Sequence, residues 1–567
     1  MNGFAEAFPG AQRAQILRAA QQTAWDIVII GGGITGAGIV LEASRRGLKA
    51  LLVEQRDFAW GTSSRSSKLV HGGLRYLKEG QLRLTRDSVR ERQNLLQQAG
   101  GLVDPQSFAF ADYRGRKPGR WVFQLGLAIY DRLAARHQKV FGRPYQAADD
   151  FLMLAPHIGR DGLQGGLTYL DAKTDDARLV LRVLQEARGL GGVAINYVRA
   201  QQLLRAGNAA DGAVSGVRLA DALTADTCDV TAKVVINATG AWADGLRQQQ
   251  GASPRLRPLR GSHLVLPAWR LPVAQAVSLM HPQDGRPVFV FPWEGATLVG
   301  TTDIDHRADL QQEARTTQAE VDYLMAALHF QFPSLQLTRA DVIATYAGVR
   351  PVIDTGKADP SQEGRDHAVW LENGLLTVTG GKLTTYRQMA ADAVDEVVTS
   401  LLGADRPDVA KRSPTARLAL RGADGWDRIA DAAVAAGLDR ATGDHLARRY
   451  GGEATALMAD IAEHPELAEP MVEGLPYLRA EARHAARAEM ATTLVDVLSR
   501  RTRALLLDRN ATRRAAPAVA ADVAPLLGWD EAEIARQVAA FEAVVDAELA
   551  AETDQALPPG VPAGTRA

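Results

Sequence analysis

Three glycines near the N-terminus have the spacing of a turn that binds a dinucleotide. Gly31, Gly33 and Gly36 form a G-x-G-x-x-G frame directly after the apolar run Asp26–Ile30. In such a frame the first glycine permits a tight turn, the second lets a pyrophosphate approach the backbone, and the third lets a helix pack on the strand. The free N–H groups and the dipole at the start of that helix favour a phosphate. We therefore expect a dinucleotide site here, with a merely structural turn as the alternative.

Glu54 completes this pattern at the end of a second apolar run, Lys49–Val53. An acid about 20 residues beyond the glycines accepts hydrogen bonds from the hydroxyls of an adenosine ribose. The same carboxylate repels a 2′-phosphate, so NADP is disfavoured. NAD and FAD are both compatible with the glycines and the acid.

Three later segments favour FAD over NAD. Thr62–Lys68 is rich in hydroxyl groups, Asn237–Gly240 follows a predicted strand, and Thr379–Tyr386 has a glycine pair at a strand–helix junction. An NAD site is usually complete within one compact half of a domain, whereas these segments are spread along the chain, as an elongated FAD requires. The residues expected to contact FAD are Gly31, Gly33, Ile34, Thr35, Gly36, Glu54, Thr62, Ser63, Ser64, Ser67, Lys68, His71, Gly72, Gly73, Ala238, Thr239, Gly240, Gly381, Lys382, Leu383 and Thr384.

The composition limits the other functions that the chain can have. Its 567 residues include 65 Lys and Arg against 66 Asp and Glu, so a nucleic-acid partner bound by bulk positive charge is not expected. The single cysteine, Cys228, forms no intrachain disulfide and fits a reducing compartment, and no metal site is expected. No apolar run reaches the length of a membrane-spanning helix, and the N-terminus lacks the pattern of a secretory signal. We expect a protein that is soluble or that lies on a membrane surface.

The elements that position these residues are predicted to be strands in alternation with helices. From Asp26 to Val394, β-branched apolar runs alternate with amphipathic stretches, which is typical of α/β or α+β proteins. The predicted strands are Asp26–Ile30, Lys49–Glu54, Val193–Val198, Val214–Leu219, Lys233–Asn237, Ser262–Pro267, Val288–Phe291, Thr297–Gly300 and Leu375–Thr379. Beyond Pro407 the chain is rich in Ala, Arg and Glu and is predicted to be helical, with helices over Arg479–Leu507 and Glu531–Ala551. Apolar residues in the second of these recur every three or four residues, which predicts one buried face.

Eight segments between about residues 26 and 394 carry a resemblance to a known family. They are, in order, IVIIGGGITGAGI, TSSRSSKLVHGGLRYL, DDARLVL, NATGAWAD, GSHLVLP, FPWEGATLVGTTD, YAGVRP and GGKLTTYRQMA. With these segments the sequence resembles the FAD-dependent, quinone-reducing (aerobic) glycerol-3-phosphate dehydrogenases, which belong to the D-amino-acid-oxidase-like flavoproteins. The segments ARRYGG and LSRRTRALLLD extend the resemblance into the C-terminal part of the chain.

The resemblance implies an activity, which is the oxidation of sn-glycerol 3-phosphate to dihydroxyacetone phosphate. It implies that a hydride passes from C2 of the substrate to N5 of FAD, and that ubiquinone receives the electrons. A glycerol-3-phosphate oxidase that uses oxygen and a related flavoenzyme that acts on another hydroxy acid are the alternatives. A non-enzymatic protein with FAD as a structural or sensory ligand is a further alternative from a different class.

The resemblance also implies a fold and its division. The fold is an α/β FAD-binding domain of Rossmann-like, D-amino-acid-oxidase-like architecture, an antiparallel β substrate domain and an all-α C-terminal domain. The first two share residues 20–406, with FAD-domain parts at roughly 24–110, 160–245 and 340–400 and substrate-domain parts at roughly 111–159 and 246–339. From the composition of the C-terminal part, residues 407–555 are expected to form the helical domain and residues 556–567 a flexible tail.

The substrate phosphate needs guanidinium groups, because each can bind two phosphate oxygens at once. Arg350 is the first candidate, since it precedes Pro351 in a turn-like setting. By the resemblance, Arg365 is a second phosphate arginine, and Arg75 with Tyr76 completes the anion pocket. A surface ion pair, a solvated loop and a structural role are the respective alternatives.

The reaction also needs a group that takes a proton from the substrate hydroxyl. His263 is the first candidate because its ordinary pKa suits proton transfer near neutrality, although a lone histidine on a strand is more often a core residue. His71 is the competing candidate. Lys382, after two glycines, is expected to hold a positive charge near the substrate hydroxyl or the flavin, in one catalytic site with Arg350. The segment Thr301–Asp303 is expected to be a structural turn.

A quinone acceptor resides in lipid, so the enzyme is expected to touch a membrane. Tyr113–Arg143 holds eight basic residues and one acid, with aromatic residues beside an apolar helix face. Such a segment suits an anionic membrane surface, and an amphipathic helix that packs on the FAD domain is the alternative. The expected location is the cytoplasm, with peripheral attachment to the inner face of the cytoplasmic membrane, and a homodimer stays open.

Overall fold

The computed structural model describes residues 10–74, 80–115, 119–134, 145–208, 212–358, 363–402, 409 and 413–553. Within these residues the chain forms two β-sheets and a helical C-terminal region. The strands are β1 Trp25–Ile30, β2 Ala50–Val53, β3 Leu69–Val70, β4 Val103–Tyr113, β5 Gln146–Ala147, β6 Leu163–Thr174, β7 Val193–Ile195, β8 Val198–Arg205, β9 Val214–Asp221, β10 Thr227–Asn237, β11 Leu256–Pro267, β12 Ala276–Met280, β13 Pro287–Trp293, β14 Ala296–Gly300, β15 Ile304–Asp305, β16 Ala344–Ile353, β17 His367–Glu372 and β18 Leu375–Gly380. The longer helices are α1 Gly10–Gln22, α2 Ile34–Arg45, α3 Leu82–Gln98, α4 Arg120–Ala134, α5 Ala148–Leu154, α6 Asp176–Gly189, α7 Ala243–Gln248, α8 Gln318–Gln331, α9 Tyr386–Glu396, α10 Trp426–Ala435, α11 Arg440–Tyr450, α12 Ala454–Glu463, α13 Arg479–Ala488, α14 Arg509–Leu527 and α15 Glu531–Thr553.

The first sheet carries the glycine turn. Its strands run in the order β17–β18–β10–β1–β2–β7, and β1 pairs in parallel with both β10 and β2. Every residue of β1 is buried, as expected for a central parallel strand with two covered faces. Helix α2 follows β1 and packs against α6 and α9. The turn between β1 and α2 therefore lies at the carboxyl edge of a parallel sheet, where ligands of such folds bind.

The second sheet is mainly antiparallel and contains the predicted substrate strands. Its order is β15–β11–β14–β13–β12–β4–β6–β3, with β16 paired to β11 and β5 paired to β6. The predicted domain division runs through this sheet, because most of β4 and all of β6 and β16 belong to segments assigned to the FAD domain. The order of segments along the chain does not reveal which distant strands pair. The predicted division into an FAD domain and a substrate domain therefore stays a proposal.

Each predicted strand overlaps an observed strand, but two predicted elements are interrupted. The predicted strand Val193–Val198 breaks because Tyr197 has φ 54°, and the chain turns between β7 and β8. The predicted helix Arg479–Leu507 is wrong as a single element, since α13 ends at Ala488 and Met490 has φ 57°. Positive φ values interrupt the backbone repeat of a strand or a helix, and neither residue type announces them in the sequence.

The C-terminal region supplies much of the core beneath the second sheet. Phe291 and Trp293 of the sheet share one buried apolar cluster with Leu505, Phe541 and Val545. Within α15, the residues of the predicted apolar stripe are buried or partly buried against this cluster, so the predicted buried face is confirmed. Because apolar burial stabilises both partners, the second sheet and the helical region complete one another.

A buried ion-pair cluster joins the C-terminal region to the loop after β2. Arg501 binds Asp57 with both ends of its guanidinium group, at 2.7 Å from Nη1 to Oδ2 and 2.8 Å from Nη2 to Oδ1. Arg500 adds a third bond, from Nε to Oδ2 at 2.6 Å. Burial by itself raises the pKa of Asp57, but the charges of Arg501 and Arg500 overcome this effect and lower the pKa to about 2. The buried carboxylate is therefore ionised and paired at neutral pH.

The substitution Arg501→Met is expected to lower the free energy of unfolding by about 3 kcal/mol, because it leaves a buried carboxylate short of one cationic partner. Denaturant unfolding at a fixed cofactor concentration measures the change. The stabilisation by Asp57 is present above its unfolded pKa of about 4 and is lost as the pH falls towards 2, so the difference from wild type narrows in acid. Arg440→Met is the control, since Arg440 is exposed and pairs with Asp431 at the surface. Equal effects of the two substitutions would contradict a structural role for the cluster.

Candidate active site

A cavity of about 1530 Å³ is lined by residues of both sheets. It brings together most of the residues that the sequence predicts for a cofactor and a substrate. Those that line it are Gly31, Gly33, Ile34, Thr35, Glu54, Thr62, Ser63, Ser67, His71, Gly73, Ala238, Thr239, Gly240, His263, Arg350, Arg365, Gly381, Lys382, Leu383 and Thr384. Gly36, Ser64, Lys68 and Gly72 are not among the lining residues, and Arg75 and Tyr76 lie outside the part of the chain that the structure describes.

The turn between β1 and α2 needs glycine at two positions. Gly31 has φ 117°, and a Cβ atom there would lie 2.5 Å from the carbonyl oxygen of Ala238. A Cβ atom on Gly36 would lie 1.9 Å from the carbonyl oxygen of Gly31, so Gly36 serves the packing of the turn. The amide of Ile34, at the start of α2, donates to the Oγ of Ser63 at 2.9 Å. A compact turn beside a helix N-terminus is the geometry that a pyrophosphate requires.

Glu54 lies at the cavity wall beside this turn. Its Oε2 accepts a hydrogen bond from the amide of Gly32 at 2.7 Å, and its Oε1 accepts one from the amide of Arg56 at 2.9 Å. Burial raises the pKa of Glu54, and the two amides oppose that rise. The carboxylate is thus held in place as an acceptor for ribose hydroxyls. A glycine turn that side chains would block and a fixed carboxylate both fit FAD.

Lys68 and Gly72 lie behind the cavity wall, although both are predicted to contact the cofactor. The Nζ of Lys68 donates to the Oδ1 of Asp176 at 2.9 Å and to the carbonyl oxygen of Ser64 at 3.1 Å. Burial is the main cause that lowers the pKa of Lys68 to about 8. A Cβ atom on Gly72 would lie 2.2 Å from the hydroxyl oxygen of Tyr130. In this structure Lys68 and Gly72 pack inside the protein, and residues next to them in the chain, Ser67, His71 and Gly73, form the cavity wall.

His263 lies in β11 at the cavity wall and is 1% exposed. Its Nε2 is 2.8 Å from the Oγ of Ser67, and its ring stacks on Tyr346 with ring centroids 4.6 Å apart. Its Nδ1 has no hydrogen-bond partner among the described residues. Burial, together with the charges of Arg350 and Lys68, holds the pKa of His263 well below its ordinary value. The ring is therefore neutral near pH 7, and the same shift makes it a weaker base than a solvent-exposed histidine.

Arg350 and Arg365 meet at one carboxylate. The Nη1 of Arg350 donates to the Oδ1 of Asp303 at 2.8 Å, and the Nη2 of Arg365 donates to the Oδ2 at 2.8 Å. The Nη2 of Arg350 also donates to the Oγ1 of Thr301 at 3.1 Å. Asp303 thus does more than end a turn. A third arginine, Arg286, lies 3.4 Å from the same carboxylate, and its sequence setting before an apolar strand does not distinguish it from other arginines.

Lys382 lines the cavity near the arginines. Its Nζ donates to the Oγ of Ser88 at 2.7 Å. Burial lowers the pKa of Lys382 to about 7, although the charge of Asp366 opposes this shift. The next turn of the chain is fixed by Thr384, whose Oγ1 donates to the carbonyl oxygen of His71 at 3.3 Å. The two glycine-containing loops, distant in sequence, are therefore joined at the cavity.

Helix α4 forms an apolar part of the cavity wall that reaches the surface. Val122, Leu125 and Ile129 line the cavity, yet 65%, 64% and 41% of their respective surfaces are exposed. Trp121 is 76% exposed, and Arg120 lies beside it. The other basic residues of the predicted membrane segment are described only in part, since Arg116, Lys117, Arg136, Lys139 and Arg143 lie outside the described residues. Among the helices that the structure describes, none is long and apolar enough to cross a bilayer.

Comparison with known proteins gives two family matches and several full-length relatives. Residues 26–387 match the FAD dependent oxidoreductase family, and residues 413–534 match the C-terminal domain of alpha-glycerophosphate oxidase. Glycerol-3-phosphate dehydrogenase 2 of Mycobacterium tuberculosis is 37% identical over 558 residues, which cover 96% of this chain and 92% of the relative. Aerobic glycerol-3-phosphate dehydrogenase of Bacillus subtilis is 35% identical over 536 residues, which cover 92% of this chain and 95% of the relative.

A solved structure shows the same architecture. The X-ray structure of the glycerol-3-phosphate dehydrogenase from Bacillus halodurans complexed with FAD covers 98% of this chain and 99% of its own chain, with a TM-score of 0.78 and 31% identity. The match, together with the two sheets and the helical region, confirms the predicted fold class. FAD, predicted from the spread of the cofactor segments, is likewise confirmed by the family match and by this structure.

Proposed function

This chain belongs to the family of FAD-dependent glycerol-3-phosphate dehydrogenases, and from this premise we propose that it oxidises sn-glycerol 3-phosphate to dihydroxyacetone phosphate and transfers the electrons to a membrane quinone. The observation that carries the proposal is the presence of Arg350, Arg365 and Lys382 at the cavity that the glycine turn also lines. Cationic groups in this arrangement can bind a phosphate and a developing negative charge on oxygen.

Arg350 and Arg365 are proposed to bind the substrate phosphate. Asp303 holds one nitrogen of each guanidinium group at 2.8 Å, so the side chains are already ordered before an anion arrives. Binding to ordered groups loses less conformational entropy than binding to mobile ones. Arg75 and Tyr76 of the HGGLRY segment are proposed to complete the pocket on the basis of the family resemblance.

His263 is proposed to take the proton from the C2 hydroxyl of the substrate. Its ring is neutral near pH 7, as a general base must be. The contact with Ser67 and the stacking on Tyr346 fix the orientation of the ring at the cavity wall. His71 lines the same cavity and is the competing candidate for this role.

Lys382 is proposed to stabilise negative charge on the substrate oxygen as the proton leaves. A positive charge has a larger effect in a buried site than in water, because the local dielectric constant is low. When bound, FAD supplies the acceptor for the hydride that leaves C2. Residues of this chain that would hold FAD are those at the glycine turn, with Glu54, Ser63 and Thr384.

The electron acceptor is proposed to be a quinone that enters from an anionic membrane. The exposed apolar face of α4 forms part of the cavity wall, so an apolar molecule can reach the cavity without crossing a polar surface. Basic residues beside an apolar helix face favour attachment to anionic lipid. The proposed location is therefore the inner face of the cytoplasmic membrane, and oxygen is the alternative acceptor.

Anaerobic addition of glycerol 3-phosphate is expected to bleach the yellow flavin absorbance of the purified protein, because substrate electrons then remain on the flavin. Glycerol, which lacks the phosphate, is expected to leave the absorbance unchanged at the same concentration. Arg350→Met is expected to require roughly a hundredfold more glycerol 3-phosphate for half-maximal bleaching, as loss of a charged hydrogen-bonding partner predicts. Unbleached wild-type flavin would refute the proposed activity. Rapid reoxidation by oxygen with stoichiometric peroxide, and slow reoxidation by quinone, would favour the oxidase alternative.

The pH dependence of kcat/KM reports the ionisation of groups in the free enzyme. It is expected to follow the ionisation of Lys382. Since the pKa of Lys382 is about 7, the side chain loses its charge as the pH rises through that value, and kcat/KM is expected to fall. Lys382→Arg keeps its charge at higher pH, so its profile is expected to be flatter. A wild-type kcat/KM that instead rises through pH 7 would contradict the cationic role and make Lys382 the base.

Neutralising the basic residues before and at the start of α4, with the variant Arg114→Gln, Arg116→Gln, Lys117→Gln and Arg120→Gln, is expected to weaken binding to phosphatidylglycerol-containing vesicles at least tenfold. Each basic residue near an anionic surface contributes about 1 kcal/mol. Trp121→Ser is expected to weaken binding through the loss of apolar contact, whereas Trp269→Ser, which alters a similarly exposed tryptophan in the turn after β11, is the control. FAD content and activity with a water-soluble dye are expected to persist. If the quadruple variant and Trp121→Ser both bind vesicles as tightly as wild type, this surface does not attach the protein to the membrane.

A further inference from the structure

Three arginines from distant parts of the chain converge on the carboxylate of Asp303. Arg350 and Arg365 each donate to one of its oxygens, and Arg286 places Nη2 3.4 Å from Oδ2. The Nη1 of Arg286 also donates to the backbone carbonyl oxygen of Asp303 at 3.1 Å. Arg286 precedes β13, Arg350 belongs to β16, and Arg365 precedes β17. All four residues line the cavity.

Two of these guanidinium groups have donors left over after the contact with Asp303. The Nε of Arg286 and the Nη1 of Arg365 are buried and have no acceptor among the residues that the structure describes. Other buried arginines also have such nitrogens, and one of them, Arg65, lines the cavity as well, where it pairs with Glu313 and not with Asp303. A buried N–H group without an acceptor is unfavourable. Because both guanidinium groups line the cavity, a small rotation of either side chain towards an anionic ligand would supply the missing acceptor.

The net charge of this cluster matches a phosphate ester in its dianionic form. Three arginines and one aspartate sum to +2, from +3 and −1. Two further acids beside these arginines, Asp284 and Asp366, also line the cavity. Asp284 accepts hydrogen bonds from the hydroxyl of Tyr323 at 3.0 Å and from the amide of Arg286 at 3.0 Å, and the carboxylate of Asp366 lies 3.5 Å from the ring of His367. Asp303 itself is 6% exposed, so its negative charge acts on the arginines rather than on solvent.

We infer that Arg286 is a third arginine of the phosphate-binding set, and that Asp303 is the positioning residue that aligns all three guanidinium groups towards a phosphomonoester dianion. This inference rests on the proposed function and adds a specificity-determining group to it. Without the aspartate, three like charges would repel one another and lose their common geometry. With it, the set is ordered and retains the charge needed to balance a dianion.

The test compares Arg286→Met with Arg307→Met in the FAD-loaded enzyme. Arg307 is an exposed arginine beyond β15 that does not line the cavity, so it controls for the loss of one positive charge. In anaerobic flavin reduction, Arg286→Met is expected to raise the half-saturating concentration of glycerol 3-phosphate about ten- to a hundredfold, with the limiting rate within about twofold of wild type. Inhibition by inorganic phosphate is expected to weaken in parallel. Arg307→Met is expected to match wild type in both measurements.

The pH dependence separates charge matching from simple loss of structure. A phosphate ester gains a proton as the pH falls through about 6, so wild-type affinity is expected to fall below that pH, and the fall is expected to be smaller in Arg286→Met. Asp303→Asn is expected to weaken phosphate inhibition as well, with partial rescue by Asp303→Glu. If Asp303→Asn does not fold, the comparison at Arg286 decides alone.

The failures of the two proposals are distinguishable. Wild-type flavin that glycerol 3-phosphate does not reduce would overturn the proposed function. Wild-type flavin that is reduced, together with an Arg286→Met enzyme whose half-saturating concentration and phosphate inhibition equal those of wild type, would overturn only the role of Arg286. An equal loss in Arg307→Met would show that the effect is one of general charge, which would also overturn it.

Discussion

Asp57 lies three residues beyond Glu54, which follows β2, and it is neutralised by arginines from near the other end of the chain. Its carboxylate is fully buried and accepts hydrogen bonds from Arg500, Arg501 and Asn196. An ionised carboxylate in such a place is strongly destabilising unless it is paired. The loop that follows the cofactor acid can therefore adopt its observed position only when the helical C-terminal region is docked. The C-terminal region therefore holds in place the loop after β2, which contains Asp57.

The same dependence extends to the proposed base. Asp176, at the start of α6, binds Ser66 and Lys68 of the segment Thr62–Lys68. Arg503 of the C-terminal region donates to both Asp176 and the backbone carbonyl oxygen of Ser64. The residue between the two anchored positions, Ser67, lies against His263. The orientation of the imidazole at the cavity thus depends on ion pairs that no substrate touches. A buried network of this kind fixes geometry because each member would be costly to leave unpaired.

Two carboxylates organise arginines in this protein, and their surroundings give them different roles. Asp57, Arg500 and Arg501 are not among the residues that line the cavity, so these arginines serve the docking of the helical region. Asp303 lies on the wall, and its arginines keep buried donors that the described residues do not satisfy. The residue types are the same in both clusters. What differs is whether a ligand can reach the guanidinium groups, which is a property of the cavity and not of the side chains.

Features that depend on neighbours along the chain could be predicted from the residues alone. The glycine turn, the acid Glu54 and the strands follow from backbone conformation and apolar periodicity, which act over a few residues. Three features could not be predicted in this way. They are the strand partners in the second sheet, the position of Lys68 behind the cavity wall, and the meeting of three arginines at Asp303. Arg501 and Asp57 are 444 residues apart, and in a chain with 65 Lys and Arg nothing local marks which cation will meet which acid. Long-range pairing is decided by the surfaces that meet when the sheets and the helical region pack, so only the folded chain determines it.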